Sequence, residues 1–433
     1  MRKYRSAFIV GGVLYITVIL WILSKISQGF IPPVALLLSQ LSALLAVTFL
    51  ALQYFISTRT KLVEDLFDGL DVAYLAHHNM GSMAFILMLV HPMLLLINSL
   101  PNVGMFQFYF LPSSLPDYTF GVVALYMYTT LLFITYYSKL PYHLWLLTHK
   151  FMSVPLIFVS LHVILISSDI ARYMPLRYWI ISLVAIAIIS ALYKTFLYKF
   201  LVARYKYAVS KINDIGTITE VYLKPDGNRK LSLMPGQFVF ISFNSEALSK
   251  EEHPFSISSV NGDEIRISMK KNGDYTNLAP SLKVGEKATI IGPHGKFGEN
   301  LEVDHKDLLL IAGGIGVTPF LTMLKSEVKK GKGRKITVLY SISTREESNY
   351  IAELDEIVSG SENIKLFVHI SSEKGRLTAE RIMKEEYMKE YNRKRTKIFI
   401  CGSTGMMDSL TNGFVKEGIA PWNIIKEDFN LKQ

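Results

Sequence analysis

Residues 72–100 read V-A-Y-L-A-H-H-N-M-G-S-M-A-F-I-L-M-L-V-H-P-M-L-L-L-I-N-S-L, an apolar run with no Asp, Glu, Lys or Arg and with histidines at 77, 78 and 91. Roughly 20 apolar residues suffice for a helix to cross about 30 Å of hydrocarbon, so this segment is long enough to span a membrane. His77 and His91 are 14 positions apart, about 21 Å along a helix and about 40° apart around it. They therefore face one way at two depths. An imidazole inside a membrane is costly unless it has a partner, which makes both residues candidates for function.

Reading outward, five more apolar runs occur at 8–23, 33–56, 120–137, 144–167 and 176–198. No A-x-A-like cleavage site follows the first run, and five further runs come after it, so it reads as a span rather than a signal peptide. The 433-residue chain divides sharply in composition: residues 1–200 carry 18 charged side chains and residues 201–433 carry 64. The first half is thus a membrane domain, and the second is a soluble one. The net charge of +10 divides as +6 and +4 between the halves, and the first half's excess sits at the ends of the apolar runs, a pattern that suits membrane flanks better than the concentrated basic surface of a nucleic-acid-binding protein. If the spans alternate, Arg2, Lys3, Arg5, Arg59, Lys61, Lys139, Lys150, Lys194, Lys199, Arg204 and Lys206 share one side, with only Lys25, Arg172 and Arg177 opposite. Basic loops stay inside, so the reading is a multi-pass protein of the cell membrane with both termini cytoplasmic. A single cysteine, Cys401, excludes an intramolecular disulfide and any iron–sulfur or zinc site built from several thiolates.

His149 and His162 lie 13 positions apart on the fifth span, about 20 Å, so their depths match those of His77 and His91. An inner pair (His77, His149) and an outer pair (His91, His162) could each clamp an iron porphyrin from both sides, an arrangement suited to electron transfer. The competing reading is that these histidines only pack helices, and His78 and His143, at span ends, are assigned to it. One detail resists the clamp: in a straight helix, 13 residues leave about 140° between His149 and His162. Pro155, between them, is the expected site of a kink that re-aims one ring.

Beyond residue 204 short alternating segments at 207–212, 216–223, 237–242, 264–269 and 287–291 predict a small antiparallel barrel. From 307 the pattern becomes strand, glycine turn, helix: strand 307–312, turn 313–316 and helix 318–329, then strands 336–341, 364–369 and 397–401. That alternation predicts a parallel sheet with its ligand at the strand C-termini. GGIGVTP (313–319), where strand becomes helix, allows close backbone approach and offers a helix N-terminus to a phosphate. A tight turn without a ligand is the bland alternative. The domain organisation expected is 1–204 membrane domain, 205–300 barrel and 301–433 α/β domain.

Two resemblances follow from these motifs. His77-His78-Asn79-Met80-Gly81 followed by His91 resembles the H-R-x-x-G…H pattern of the ferric reductase and NADPH oxidase transmembrane domain, with His78 replacing the usual basic residue. PGQFVF (235–240), HPFSISS (253–259), KKNGDYT (270–276), GPHGKFG (292–298), GGIGVTP and CGSTGMM (401–407) stand in the order of the ferredoxin-reductase-like flavoprotein module. Together the chain resembles a prokaryotic member of the NADPH oxidase and ferric reductase superfamily. That resemblance implies FAD, two b-type haems with His77, His91, His149 and His162 as ligands, and NADPH or NADH as substrate. It implies that Ser256 hydrogen-bonds the flavin ring, that His253, Pro254, Phe255, Ile257 and Ser258 line FAD, and that Lys270, Gly273 and Thr276 lie near its pyrophosphate. Gly313, Gly314, Gly316, Thr318 and Pro319 would hold the dinucleotide, with Cys401 and Gly402 near the nicotinamide. Ser403 stands where the family often has proline. The terminal segment resembles the family's E-x-F ending, which would stack Phe429 on the flavin. The expected acceptor is dioxygen, reduced to superoxide, with a ferric chelate as the alternative and a non-catalytic membrane receptor as the reading from another class. Apart from the lipid bilayer no partner is expected, neither nucleic acid nor an obligatory protein.

Overall fold

The computed structural model describes residues 5–29, 31–100, 103–302, 306–331, 333–389 and 391–428. They form two compact units, Met1–Leu201 and Val202–Gln433. In the first, six helices are long and apolar enough to cross a membrane: Arg5–Gln28, Val34–Ser57, Leu70–Asn98, Pro116–Tyr137, Leu144–Leu165 and Met174–Leu201. Large apolar side chains such as Phe8, Leu75, Phe133, Ile157 and Ile189 stay exposed around the bundle, the outward face that hydrocarbon would cover. Between the helices the residues are small. Ser39, Ala46, Thr48, Ala51, Ala84, Ala124 and Ala187 are buried and permit close approach. Thr17 Oγ1 meets Thr48 Oγ1 at 3.1 Å and accepts from Trp179 Nε1 at 2.9 Å, joining spans one, two and six. Lys25 and Asp169 form a buried ion pair, and Lys25 also donates to Gln40 at 2.6 Å.

Span five is not one continuous helix. It consists of Tyr142–Lys150 and Ser153–Leu165, separated by a turn at Phe151 and Met152. The sequence reading expects the distortion at Pro155 itself, but Pro155 lies in the first turn of the second piece, and the break precedes it. The reason is local: a proline ring clashes with the carbonyl four residues earlier, here that of Phe151. That carbonyl instead accepts from Val154 N at 2.9 Å, and Met152 N bonds His149 O at 3.1 Å. Both are three-residue bonds, which wind the chain at about 120° per residue in place of about 100° and so rotate His162 back toward the face of His149.

The second unit begins with a closed barrel in the order β1-β2-β5-β4-β3-β6, all neighbours antiparallel. Its strands are β1 (Arg204–Ile215), β2 (Ile218–Pro225), β3 (Phe238–Asn244), β4 (His253–Asn261), β5 (Glu264–Lys270) and β6 (Lys287–His294). Alternate side chains including Val221, Leu223, Val239, Ile241, Ile257, Ile267 and Ile290 fill its interior. β4 is absent from the strands expected from sequence. It is the HPFSISS segment, whose proline and four polar side chains lower its strand propensity. Pairing compensates: Ser258 Oγ donates to Arg266 O at 3.0 Å. The remaining strands, β7 (Asp307–Gly313), β8 (Ile336–Ile342), β9 (Ile364–Ile370), β10 (Thr396–Cys401) and β11 (Ile424–Glu427), form a parallel sheet in the order β11-β10-β7-β8-β9. β11 too is missing from the sequence reading, because four residues are too few to show a period.

Within this unit barrel and sheet are tied by buried charge. Arg266 of β5 reaches Glu220 of β2 at 3.1 Å and Glu353, on the helix before β9, at 2.8 Å. Lys325 also meets Glu353 at 2.7 Å. Burial alone would lower the Arg266 pKa, but the carboxylates of Glu353 and Glu220 outweigh it and hold it raised. Arg266→Ala strands two carboxylates, and removing one partner from a buried ionic cluster costs about 3–5 kcal/mol. The expected outcome in thermal melts is a lower midpoint for the flavoprotein unit, with Lys325→Ala, at a half-exposed site, within about 1 kcal/mol of the parent.

Candidate functional site

Span three carries His77 and His91, span five carries His149 and His162, and the fold brings them together in pairs. The ring centres of His77 and His149 are 6.1 Å apart, and those of His91 and His162 are 6.5 Å apart. A metal-bound imidazole nitrogen lies about 2.0–2.1 Å from its ion with the ring centre about 1.1 Å further, so two rings on opposite sides of one ion have centres about 6.3 Å apart. Both pairs fit that spacing. Among the described residues no group of three or more His, Cys, Asp or Glu could hold a metal. Two facing imidazoles at this spacing are a donor set that suits an iron porphyrin.

Hydrogen bonds set which nitrogen faces the partner. Nδ1 of His77 meets Gln53 O at 3.0 Å, Nδ1 of His91 meets Ser39 O at 3.0 Å, and Nδ1 of His162 meets Asp117 O at 2.6 Å. A carbonyl only accepts, so Nδ1 carries the proton in each and Nε2 keeps the lone pair for a metal. Ser39 and Gln53 are 14 residues apart on span two, the same step as His77 and His91 on the adjacent antiparallel span, so one helix supports both depths. Two glycines make room. A Cβ on Gly81 would come 2.5 Å from Gln53 Oε1, and one on Gly121 would come 3.0 Å from His162 Nδ1. Trp145 stacks on His149 with ring centres 5.1 Å apart. Ser39, Gln53, Asp117, Gly121 and Trp145 escape the sequence reading because backbone carbonyls and bare glycines leave no chemical signature in it.

In the barrel, His253 is buried, bonds Glu251 Oε2 through Nε2 at 3.1 Å and lies against Tyr275 with ring centres 3.8 Å apart. The Tyr275 hydroxyl is buried with no hydrogen-bond partner among the described residues, an orphan that a ligand's polar group would satisfy. Burial, with Glu251 adding, pushes its pKa up. Ser256, Ile257 and Ser258 are buried on β4, while Pro254 and Phe255 are half-buried. Gly273, at φ +112°, turns the chain into the short helix that carries Thr276, whose hydroxyl accepts from Asn272 N at 3.0 Å. The orphaned Tyr275 hydroxyl is the kind of polar group that the FAD implied here by the resemblance would satisfy. Lys270 bonds Glu347 at 2.8 Å, and that bond holds the Glu347 carboxyl below its ordinary pKa.

At the sheet, β7 pairs with β8 on one side and β10 on the other, so the crevice at its C-terminal end is a topological switch point. Gly313–Gly316 packs there backbone to backbone against Cys401 and Gly402. A Cβ on Gly402 would sit 3.2 Å from Gly313 Cα, and one on Gly316 would collide with the Cys401 carbonyl. Gly314 has φ +52°, open to glycine at no cost. Thr318 and Pro319 begin the helix Thr318–Lys330, where Thr318 Oγ1 donates to Ile315 O at 3.0 Å. Cys401, at the end of β10, is buried. Phe429 lies outside the described residues.

Three families match consecutive parts of the chain: "Ferric reductase like transmembrane component" over residues 42–161, "FAD-binding domain" over 208–300 and "Oxidoreductase NAD-binding domain" over 310–412. Among curated proteins, Flavohemoprotein A of Dictyostelium discoideum is 28% identical over 236 residues, covering 51% of this chain and 58% of that protein. A flavohemoprotein of Oceanobacillus iheyensis is 29% identical over 234 residues, covering 51% and 57%. The chain thus spans little more than half the length of these relatives. Among solved structures, the flavohemoglobin from Malassezia yamatoensis with bound FAD and heme has a TM-score of 0.54 at 19% identity, over 92% of this chain and 98% of that one, a likeness of fold. A ferric-reductase-like domain with six helices able to cross a membrane, joined to FAD- and NAD-binding domains, gives this chain the domain architecture of the NADPH oxidases and ferric reductases.

Proposed function

We propose that the chain carries electrons from cytosolic NAD(P)H through FAD and two b-type haems to dioxygen outside the membrane, which leaves as superoxide. One NAD(P)H and two dioxygen molecules then give NAD(P)⁺, two superoxide ions and one proton. The observation that carries this reading is the pair of imidazole gaps, 6.1 and 6.5 Å between ring centres, at two depths of one bundle. When bound, FAD supplies the change from hydride to single electrons, and haem supplies one-electron sites.

The chain's own residues bind and orient. His77 and His149 hold the inner haem, His91 and His162 the outer one, and the carbonyls of Gln53, Ser39 and Asp117 keep three of the rings in the tautomer that ligates. Ring hydrogen bonds of this kind also raise the basicity of a metal ligand. His253, Pro254, Phe255, Ser256, Ile257 and Ser258 cradle the flavin, with Ser256 as donor to its ring and Lys270, Gly273 and Thr276 near the pyrophosphate. Gly313, Gly314, Gly316, Thr318 and Pro319 receive the dinucleotide, whose nicotinamide lies by Cys401 and Gly402. Both termini face the cytoplasm, as the basic flanks of the spans require.

The charges on the opposite side support dioxygen as the acceptor. Lys25 is neutralised by Asp169, Arg172 is exposed and Arg177 half-buried, so no basic cluster is gathered for an anionic ferric chelate. The connection between spans three and four is aromatic instead. Tyr109 and Tyr118 have ring centres 6.0 Å apart, and Tyr126 Oη donates to Phe110 O at 2.7 Å. It ends at Asp117, whose carbonyl holds His162. An apolar approach of this kind suits dioxygen, which needs no counter-charge to enter.

In a pyridine haemochrome assay the parent chain should hold two haems, and His91→Ala or His162→Ala should hold one; two haems in either variant would end the ligand assignment. Absence of any haem band in the parent would favour the receptor reading. For the nucleotide, Gly316→Ala should raise the KM for NAD(P)H at least tenfold with FAD content unchanged, because the added methyl meets the Cys401 carbonyl. NAD(P)H-driven cytochrome c reduction should be abolished by superoxide dismutase. Dismutase-insensitive reduction, with fast anaerobic turnover of a ferric chelate, would transfer the assignment to ferric reduction.

A further inference from the structure

One of the four histidines is held differently. His77, His91 and His162 each have Nδ1 fixed to a backbone carbonyl, whereas Nδ1 of His149 is buried with no hydrogen-bond partner among the described residues. Trp145, on the same short helix Tyr142–Lys150, stacks on the His149 ring within 11° of parallel and donates through Nε1 to Thr135 O of span four at 3.3 Å, which ties the first turns of that helix to the bundle. The direction of His149 therefore depends on what anchors that helix to the bundle. Its C-terminal end runs into the turn at Phe151 and Met152. There Tyr54 Oη donates to Met152 O at 2.6 Å and lies 3.4 Å from Tyr128 Oη. Tyr54 directly follows Gln53, whose carbonyl takes the Nδ1 proton of His77. Two consecutive residues of span two thus address both members of the inner pair, one through a ring and the other through a backbone turn.

We propose that Tyr54 is a positioning residue for the inner pair, its hydroxyl fixing the winding at Met152 and so the aim of His149, in place of the ring hydrogen bond that the other three histidines have. The proposal rests on the haem reading given above. A bond of this length to a buried carbonyl is worth about 1 kcal/mol net, and leaving the carbonyl one donor short costs more. That suffices to repopulate a turn already broken by proline chemistry. Tyr128, at the longer contact and without a bond to the turn, is not required.

The test uses the full chain in detergent, with haem content from pyridine haemochrome and spin state from electron paramagnetic resonance. Tyr54→Phe keeps the ring and deletes only the hydroxyl. The expected result is loss of the low-spin ferric signal of one haem, with carbon monoxide binding at one haem per chain after reduction, while the other haem stays low-spin; Tyr128→Phe should match the parent. Two intact low-spin signals in Tyr54→Phe would overturn the proposal, and so would loss of both haems, which marks a general structural role. His77→Ala separates the two layers of argument. If it loses one haem while Tyr54→Phe is unchanged, only the positioning role fails; if it retains both, the ligand assignment fails with it.

Discussion

The constraint on which the membrane unit depends is the cost of an imidazole away from water. Each of the four histidines must be partnered inside the bundle, and spans three and five supply them at matched depths while spans two and four supply the carbonyls that hold three of them. Span two is the scaffold of this arrangement. Its Ser39 and Gln53 repeat the fourteen-residue step of His91 and His77, so two antiparallel helices in register support both levels with the same geometry. The small residues along span two, Ser42, Ala46 and Ala51, let span three come close enough for a ring nitrogen to reach a helix carbonyl. A carbonyl already engaged in its own helix has a second lone pair to offer, so no helical bond need be given up.

Span five shows how a conflict between period and function is resolved. Thirteen residues do not return a straight helix to the same face, and the chain meets this with a short stretch of tighter winding placed just ahead of Pro155. The proline is not tolerated in spite of the site. Its ring excludes the ordinary bond to the Phe151 carbonyl and so forces the three-residue bonds that turn the outer histidine toward the inner one's face.

The soluble unit obeys a different rule, in which exposed ligand-binding backbone is held by buried packing. The glycine turn between β7 and its helix presses on Cys401 and Gly402, so the two strand ends at the switch-point crevice are set by mutual contact of main chains. Arg266 with Glu220 and Glu353 joins barrel to sheet through buried charge.

The sequence by itself determined the division into membrane and soluble halves, the six spans, the four histidines and the glycine-rich strand-to-helix turn. Each is written in periodicity, charge density or a residue type that chemistry makes rare in its surroundings. It did not determine the strand character of HPFSISS, where a proline and four polar side chains hide a pairing that only neighbouring strands reveal. Nor did it determine the break at Phe151 and Met152, which sits before the proline that causes it. The tertiary structure alone decided which carbonyls hold the histidine rings, that two bare glycines make room for the Gln53 side chain and the His162 ring, and that among the described residues His149 Nδ1 meets no such carbonyl. The physical reason is common to all three: main-chain groups and absent side chains are the same at every position of a sequence, and they acquire meaning only from what folds against them.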